Sequence, residues 1–291
     1  MILTALQAAA MRLPFAIARR LGPVRASDAG GRIARTLGPY LPVSRVADTN
    51  LRRALPELDA SSRRRIIHQV WDNLGRTFAE LPHLARLKPT ASGPGWELAG
   101  FEHVRNVVEE GAQVIFFSGH LGNWEIMLPL AKHHGVNVAG IYRAPSNPAA
   151  DKLMSGLRKD AGHVPMFAKG ATGARLAMKH MAAGGSLGLL ADQKMNDGIP
   201  VPFFGRPAMT APALAQLAIR FRCLVIPARI DRLGPARLRM TCEAPLPLPD
   251  TGNRHADVLT LMTAVNQTLE RWIRADPGNW LWLHRRWPKD G

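Results

Sequence analysis

Residues 114–125 read VIFFSGHLGNWE, and the reading of this stretch decides the fold. Val114-Ile-Phe-Phe117 is a short, continuous apolar run, the pattern of a strand covered on both faces. Ser-Gly-His follows, and Gly119 and Gly122 let the backbone bend tightly around His120. Helical spacing then resumes over 123–133. A strand that ends in a tight turn and feeds a helix is the opening of an α/β unit.

Working downstream, the same alternation continues. Strands are predicted over 136–142, 186–191 and 224–230, and helices over 149–160, 172–183, 211–221 and 256–275, with 237–242 as an edge strand. Short apolar strands separated by helices predict an α/β fold with a mainly parallel sheet flanked by helices. In such sheets chemistry gathers beyond the carboxyl ends of the strands, which is where His120 falls.

Upstream, residues 1–90 read as a helical N-terminal region and 96–291 as the α/β core, together one domain over 1–291. Asp59-Ala-Ser-Ser marks a helix start, and Ile66, Ile67, Val70, Trp71, Leu74 and Phe78 recur at helical spacing as core positions. The first 24 residues are apolar but broken by Arg12, Pro14, Arg19 and Arg20, short of the roughly 20 uninterrupted apolar residues of a spanning helix. A signal peptide is also a poor fit, because the positive charge follows the apolar stretch. Leu3, Leu6, Ala10, Leu13 and Ile17 share one face. That face suits a membrane-interface helix, and equally a helix lying on the domain's own core.

The 291 residues carry 38 Lys+Arg against 22 Asp+Glu, a net charge of +16, which predicts acidic partners such as anionic headgroups, an acidic carrier protein or nucleic acid. Aromatic residues are 6% of the chain and do not interleave with the arginines as in nucleic-acid modules, so a basic binding protein without chemistry rests on charge alone. Cys223 and Cys242 give neither a disulfide framework nor metal-ligand spacing and read as buried thiols. His133-His134 lacks a second ligand pair, so no metal is expected. Gly-x-Ser-x-Gly and glycine-rich phosphate loops are absent, which removes the common serine hydrolases and nucleotide binders.

What remains is a histidine with a carboxylate five residues on. Neutral imidazole can take a proton from an alcohol while a carboxylate fixes its tautomer and stabilises the imidazolium, so His120 is the candidate base and Glu125 its expected partner. Asp192, between Leu189-Leu-Ala and Gln-Lys, is suited to orienting a base or an arginine, or simply to closing a turn. Arg158 suits a phosphate or an oxyanion, or plain solvation on a helix. Trp280, Trp282 and Trp287 read first as aromatic closure of the core, and with Arg285 and Arg286 also suit an aromatic-basic end at a membrane interface.

His120-Leu-Gly-Asn-Trp-Glu125 resembles the acid-base motif of the lysophospholipid-type acyltransferase superfamily. Tyr142-Arg-Ala-Pro-Ser-Asn-Pro148, Ala191-Asp-Gln-Lys194, Val201-Pro-Phe-Phe-Gly-Arg206 and Asn279-Trp-Leu-Trp-Leu-His-Arg-Arg-Trp287 narrow the resemblance to the lipid A biosynthesis lauroyl/myristoyl acyltransferase family. The resemblance spans nearly the whole chain. It implies transfer of a fatty acyl chain from an acyl-carrier-protein thioester to a hydroxyl of a phosphorylated glycolipid, a lipid A precursor. It implies work at the membrane surface, on the cytoplasmic face of the inner membrane, without a cofactor or metal. His120 and Glu125 match the family's catalytic pair. Arg158, Asp192 and Arg206 match positions expected to serve substrate, the last near the mouth of the site. A relative of the same superfamily that acylates another glycolipid or a glycerophospholipid from acyl-CoA would carry the same pair.

Overall fold

The computed structural model describes residues 2–145 and 147–288, with the side chains of residues 2–11 outside that description. Four helices open the chain: α1 (Ile2–Leu21), α2 (Pro23–Leu37), α3 (Ser44–Ala54) and α4 (Ala60–Glu80). There follow β1 (Gly95–Ala99), α5 (Arg105–Glu109), β2 (Val114–Ser118), α6 (Met127–His133), β3 (Val138–Tyr142), α7 (Pro148–Asp160), β4 (Met166–Ala168) and α8 (Ala171–Ala182). The remainder is β5 (Ser186–Leu190), β6 (Lys194–Phe203), β7 (Arg206–Thr210), α9 (Ala213–Phe221), β8 (Leu224–Gly234), β9 (Arg237–Cys242) and α10 (Arg254–Ala275).

Among the described residues seven strands form one sheet in the order β1-β9-β8-β2-β5-β3-β4. Its pairs are parallel except β8 with β9, which a tight turn joins. β2 lies near the middle of the sheet and all five of its residues are buried. Ile115 and Phe117 pack into a core shared with α8, α9, α10 and the last tryptophans. Val114 and Phe116 face the opposite way, toward α6 and Leu157 of α7. The continuous apolar run therefore reflects burial of both faces, each large side chain adding about 1.5–3 kcal/mol.

Three readings change. The strand over 237–242 is interior, because β1, a short half-buried segment with little apolar signal, pairs along its outer side. No strand is predicted around Val201–Phe204, yet β6 and β7 form a separate antiparallel hairpin there, with Val201 and Phe203 buried and Pro202 exposed. Asn266 of α10 clamps it by donating to the Pro202 carbonyl at 2.9 Å. Phe78 is 44% exposed and does not join the core that Ile66, Ile67, Val70 and Trp71 enter.

Asp59 caps α4, accepting from the Ser62 amide at 2.8 Å, and that bonding draws its pKa down to about 2. α2 and α4 cross at two glycines, where a Cβ on Gly75 would stand 2.2 Å from the Gly30 carbonyl oxygen. Of the face predicted for α1, the side chains of Leu3, Leu6 and Ala10 lie outside the described ones. Leu13 and Ile17 are 60% and 50% exposed, while Ala18 turns inward. Arg19 ties the helix to Asp160 at the end of α7, 2.9 Å away. Among the described residues no helix is long and apolar enough to cross a membrane. Cys223 and Cys242 are buried and unpaired, and burial pushes their thiols up to about 11 and about 12.

The last turns of α4 carry polar side chains into the interior. Glu80, fully buried, accepts from Ser27 at 2.6 Å, Asn123 at 2.8 Å and the Ala236 amide at 3.0 Å, and pairs with Arg232 of β8. Arg232 also donates to Asn73 at 2.8 Å, and Thr77 donates to the Gly122 carbonyl at 3.0 Å. The helical region is thereby joined to the turn after β2. Removing one partner of a buried ion pair leaves the other charge uncompensated. Glu80→Ala is expected to lower unfolding free energy by about 3–5 kcal/mol, measured by urea denaturation.

Candidate functional site

β2 and β5 are parallel neighbours in a register that sets Ser118 beside Leu190. Two residues beyond each strand stand His120 and Asp192, so the sheet itself brings an imidazole and a carboxylate together at its carboxyl edge. His120 Nδ1 lies 2.8 Å from Asp192 Oδ1, and the His120 amide donates to Oδ2 at 2.8 Å. Trp280 adds its indole N–H to Oδ2 at 2.7 Å. Asp192 has no exposure to solvent, whereas the imidazole is 15% exposed.

Burial alone would raise the Asp192 pKa. The neighbouring imidazoles of His120 and His284 and the donated hydrogen bonds outweigh it, and the carboxyl sits well below its usual range. An ionised carboxylate only accepts, so Nδ1 of His120 carries a proton. In the neutral ring Nε2 then holds a lone pair, and among the described residues only the Gln193 side-chain amide, 3.3 Å away, bonds to it. That is the tautomer and exposure a general base needs.

The turn is built for close approach. Gly122 has φ 54°, and a Cβ there would stand 2.5 Å from the Ile230 carbonyl oxygen, so only glycine fits. The tail after α10 braces the segment from outside. Leu281 N–H donates to the His120 carbonyl at 3.0 Å and Gly122 N–H to the Asn279 carbonyl at 3.1 Å. Asn50 of α3 holds that tail, donating to the carbonyls of Trp282 and His284 at 2.9 and 2.7 Å.

The partner expected for the imidazole is corrected here. Glu125 accepts two hydrogen bonds from Arg158, from Nε at 2.8 Å and from Nη2 at 2.6 Å, and the carboxylate at His120 is that of Asp192. The reason is local. Leu121–Asn123 is held in a non-helical turn between the tail and α4, with Gly122 at φ 54°, so helical structure starts only with the 3-10 turn Trp124–Ile126. Glu125 leaves that turn toward α7. Arg158 lies 5.5 Å from the centroid of the Tyr142 ring. Burial would lower its pKa, but the hydrogen bonds and charge of Glu125 more than offset this and raise it.

Of the five residues singled out, His120 and Asp192 meet directly, and Glu125 and Arg158 form a second pair on the same turn and its neighbouring helix. Arg206 does not join them: it is exposed at the tip of the β6–β7 hairpin, in register with Phe203, with no hydrogen bond or ion pair to either pair among the described residues. Three neighbours of the His120 imidazole had no signal strong enough to be read. Gln193 sits beside Asp192 in sequence, Trp124 packs edge-on to the imidazole at 4.9 Å, and His284 lies 6.4 Å from it. Trp280, Trp282 and Trp287 are buried as expected of core residues. The adjacent His133 and His134 stack edge-on with Trp96.

With this geometry in place, comparison with known proteins is specific. A family model described as bacterial lipid A biosynthesis acyltransferase matches residues 6–289. The chain is also 26% identical over 254 residues to the lipid A biosynthesis lauroyltransferase of Escherichia coli (strain K12), covering 84% of this chain and 78% of that protein.

Replacing Asp192 with Asn swaps an acceptor for an amide that can present its N–H to Nδ1, which favours the tautomer with its proton on Nε2. Asp192→Asn is expected to lower kcat about 10²–10⁴-fold with a smaller change in KM, read from steady-state acyl transfer.

Proposed function

Since the chain belongs to the bacterial lipid A biosynthesis acyltransferase family, we propose that it moves a fatty acyl chain from an acyl-carrier-protein thioester to a hydroxyl of a lipid A precursor, with His120 as general base. The observation that carries this reading is the His120–Asp192 contact at the carboxyl edge of the sheet, with Nε2 turned outward.

The chemistry follows from the geometry. As the acceptor hydroxyl attacks the thioester carbonyl, its proton passes to Nε2 and the new C–O bond forms. The resulting imidazolium is stabilised by Asp192 through Nδ1–H. The tetrahedral intermediate then breaks its C–S bond, and the thiolate leaves, taking the proton back from the imidazolium. An acyl ester and a free thiol result, and the base is regenerated. No redox partner enters the balance.

Glu125 has a different task from the one its spacing suggests. Its two oxygens hold Nε and Nη2 of Arg158 in a bidentate clamp, which fixes the plane of the guanidinium. Nη1 remains for the developing oxyanion or for a phosphate of the acceptor. Arg206, on its exposed hairpin, suits a peripheral contact with the phosphorylated glycolipid.

The partners follow from surface chemistry. A net charge of +16 suits both an acidic carrier protein and anionic lipid. Leu13, Ile17, Leu21 and Val24, with Ile33, Leu37, Tyr40 and Leu41, are exposed on the first two helices and the turn after them. Arg12, Arg19, Arg20, Arg25, Arg32 and Arg35 are exposed on the same helices. Apolar side chains interleaved with arginines suit the surface of an anionic bilayer, here assigned to the cytoplasmic face of the inner membrane.

Purified protein incubated with acyl-carrier-protein and coenzyme A thioesters, against a lipid A precursor and a lysophospholipid, tests the assignment by mass spectrometry. Acylation of the precursor from the carrier protein is expected, with His120→Ala reducing it at least 10²-fold and leaving the unfolding transition in place. Near-normal turnover by that variant, or transfer only from coenzyme A to the lysophospholipid, overturns it. In vesicle flotation, Ile33→Asp combined with Leu37→Asp is expected to weaken capture by vesicles containing phosphatidylglycerol several-fold. Unchanged capture removes the proposed docking face.

A further inference from the structure

We propose that Trp280 is a positioning residue of the catalytic base, its indole N–H fixing how much of the Asp192 charge the imidazole feels. This rests on the reading of His120 as general base. It adds a third participant, delivered by the tail after α10, which that reading does not require.

The case begins with the occupancy of one carboxylate. Asp192 is sealed from solvent, so its charge is balanced by the donors around it. Oδ1 faces His120 Nδ1 at 2.8 Å, and Oδ2 accepts from the His120 amide at 2.8 Å and from Trp280 Nε1 at 2.7 Å. Two donors on Oδ2 draw negative charge away from Oδ1, the atom that holds the imidazole. The indole is the one of these donors that comes from outside the β2 and β5 ends. It is also well fixed: Trp280 is fully buried and edge-on to Trp282 at 4.5 Å. Its backbone bridges Leu121, the next residue donates to the His120 carbonyl, and the preceding one accepts from Gly122. The tail therefore grips the base on both its main chain and its carboxylate partner.

The other ionisable groups around the pair have defined places. His284, on the same tail, has Nε2 3.3 Å from the Asp192 carbonyl oxygen, and burial keeps its pKa low. Arg286, fully buried, donates to Met209 and Thr210, and burial brings its pKa down to about 10 against the opposing charge of Asp192. On the turn after β2, Glu125 is engaged by Arg158 of α7. None of these replaces the indole on Oδ2.

The test is the pH profile of kcat/KM for Trp280→Phe beside Trp282→Phe. Trp282 lies in the same aromatic stack, but its indole donates to the Pro277 carbonyl. With the donor on Oδ2 gone, more carboxylate charge reaches the imidazolium. The acid limb for Trp280→Phe is expected to move upward by about 0.5–1 pH unit, a roughly three- to tenfold change in the governing equilibrium. Trp282→Phe is expected to lose stability and leave that limb in place. An unmoved limb for Trp280→Phe, or an equal shift in both variants, overturns the proposal. Should Trp280→Phe fail to fold, indole ¹⁵N labelling of the unaltered protein decides. The Trp280 N–H resonance is expected to lie downfield and to shift with an inflection matching the acid limb, and a resonance indifferent to pH rejects the assignment. Full activity in His120→Ala would instead sink the base itself, so the two failures are told apart.

Discussion

A single buried carboxylate ties the site together. Asp192 stands two residues past the end of β5 with no exposure to solvent, and an unpaired charge there would be strongly unfavourable. The arrangement tolerates it because three donors converge: a side-chain nitrogen and an amide from His120, and an indole from Trp280. Each fixes something in return. The amide sets the direction in which the chain leaves β2, the imidazole takes one tautomer, and the tail is held against the sheet. The parallel register of β2 and β5 is what makes the meeting geometrically automatic.

Around this centre the molecule uses the same device twice more. Glu80 gathers Ser27, Asn123, Arg232 and an amide of the β8–β9 turn, and so seats the helical region on the turn that follows the base. Glu125 clamps Arg158 and ties that turn to α7. These are buried or half-buried charges with near-complete hydrogen bonding, the condition under which such groups are compatible with a folded interior. The turn from Leu121 to Asn123 is held from three sides, which explains how a glycine-containing segment can hold the His120 imidazole in one place.

Much of this was legible in the residues. The apolar runs at 114–117 and 186–190 gave strands buried on both faces, and the parallel α/β sheet followed from their alternation with helices. His120 was singled out as a candidate from its place at a strand's carboxyl end, where the structure sets it beside Asp192. Its partner was misread because spacing along the chain favoured Glu125. The carboxylate that bonds the imidazole is placed by pairing between strands some 70 residues apart, which no local pattern displays. The register was nonetheless recoverable in principle, because Asp192 follows β5 by the same two residues as His120 follows β2. The hairpin of β6 and β7 was missed because two prolines and a glycine disguise its alternation. Glu80 was hidden by its position at the end of an amphipathic helix, where a glutamate reads as solvated.

The order in which these parts occur along the chain has a consequence for biogenesis. A ribosome releases the arginine-rich, apolar first helices early, the base and its carboxylate midway, and the tryptophan strap last. If the first helices dock on a bilayer as proposed, a nascent chain could do so while the His120–Asp192 pair still lacks the segment from Pro277 onward. On the proposed function, competence to consume activated acyl groups would arrive only once that stretch folds back onto the sheet, after the first helices are free to meet a bilayer.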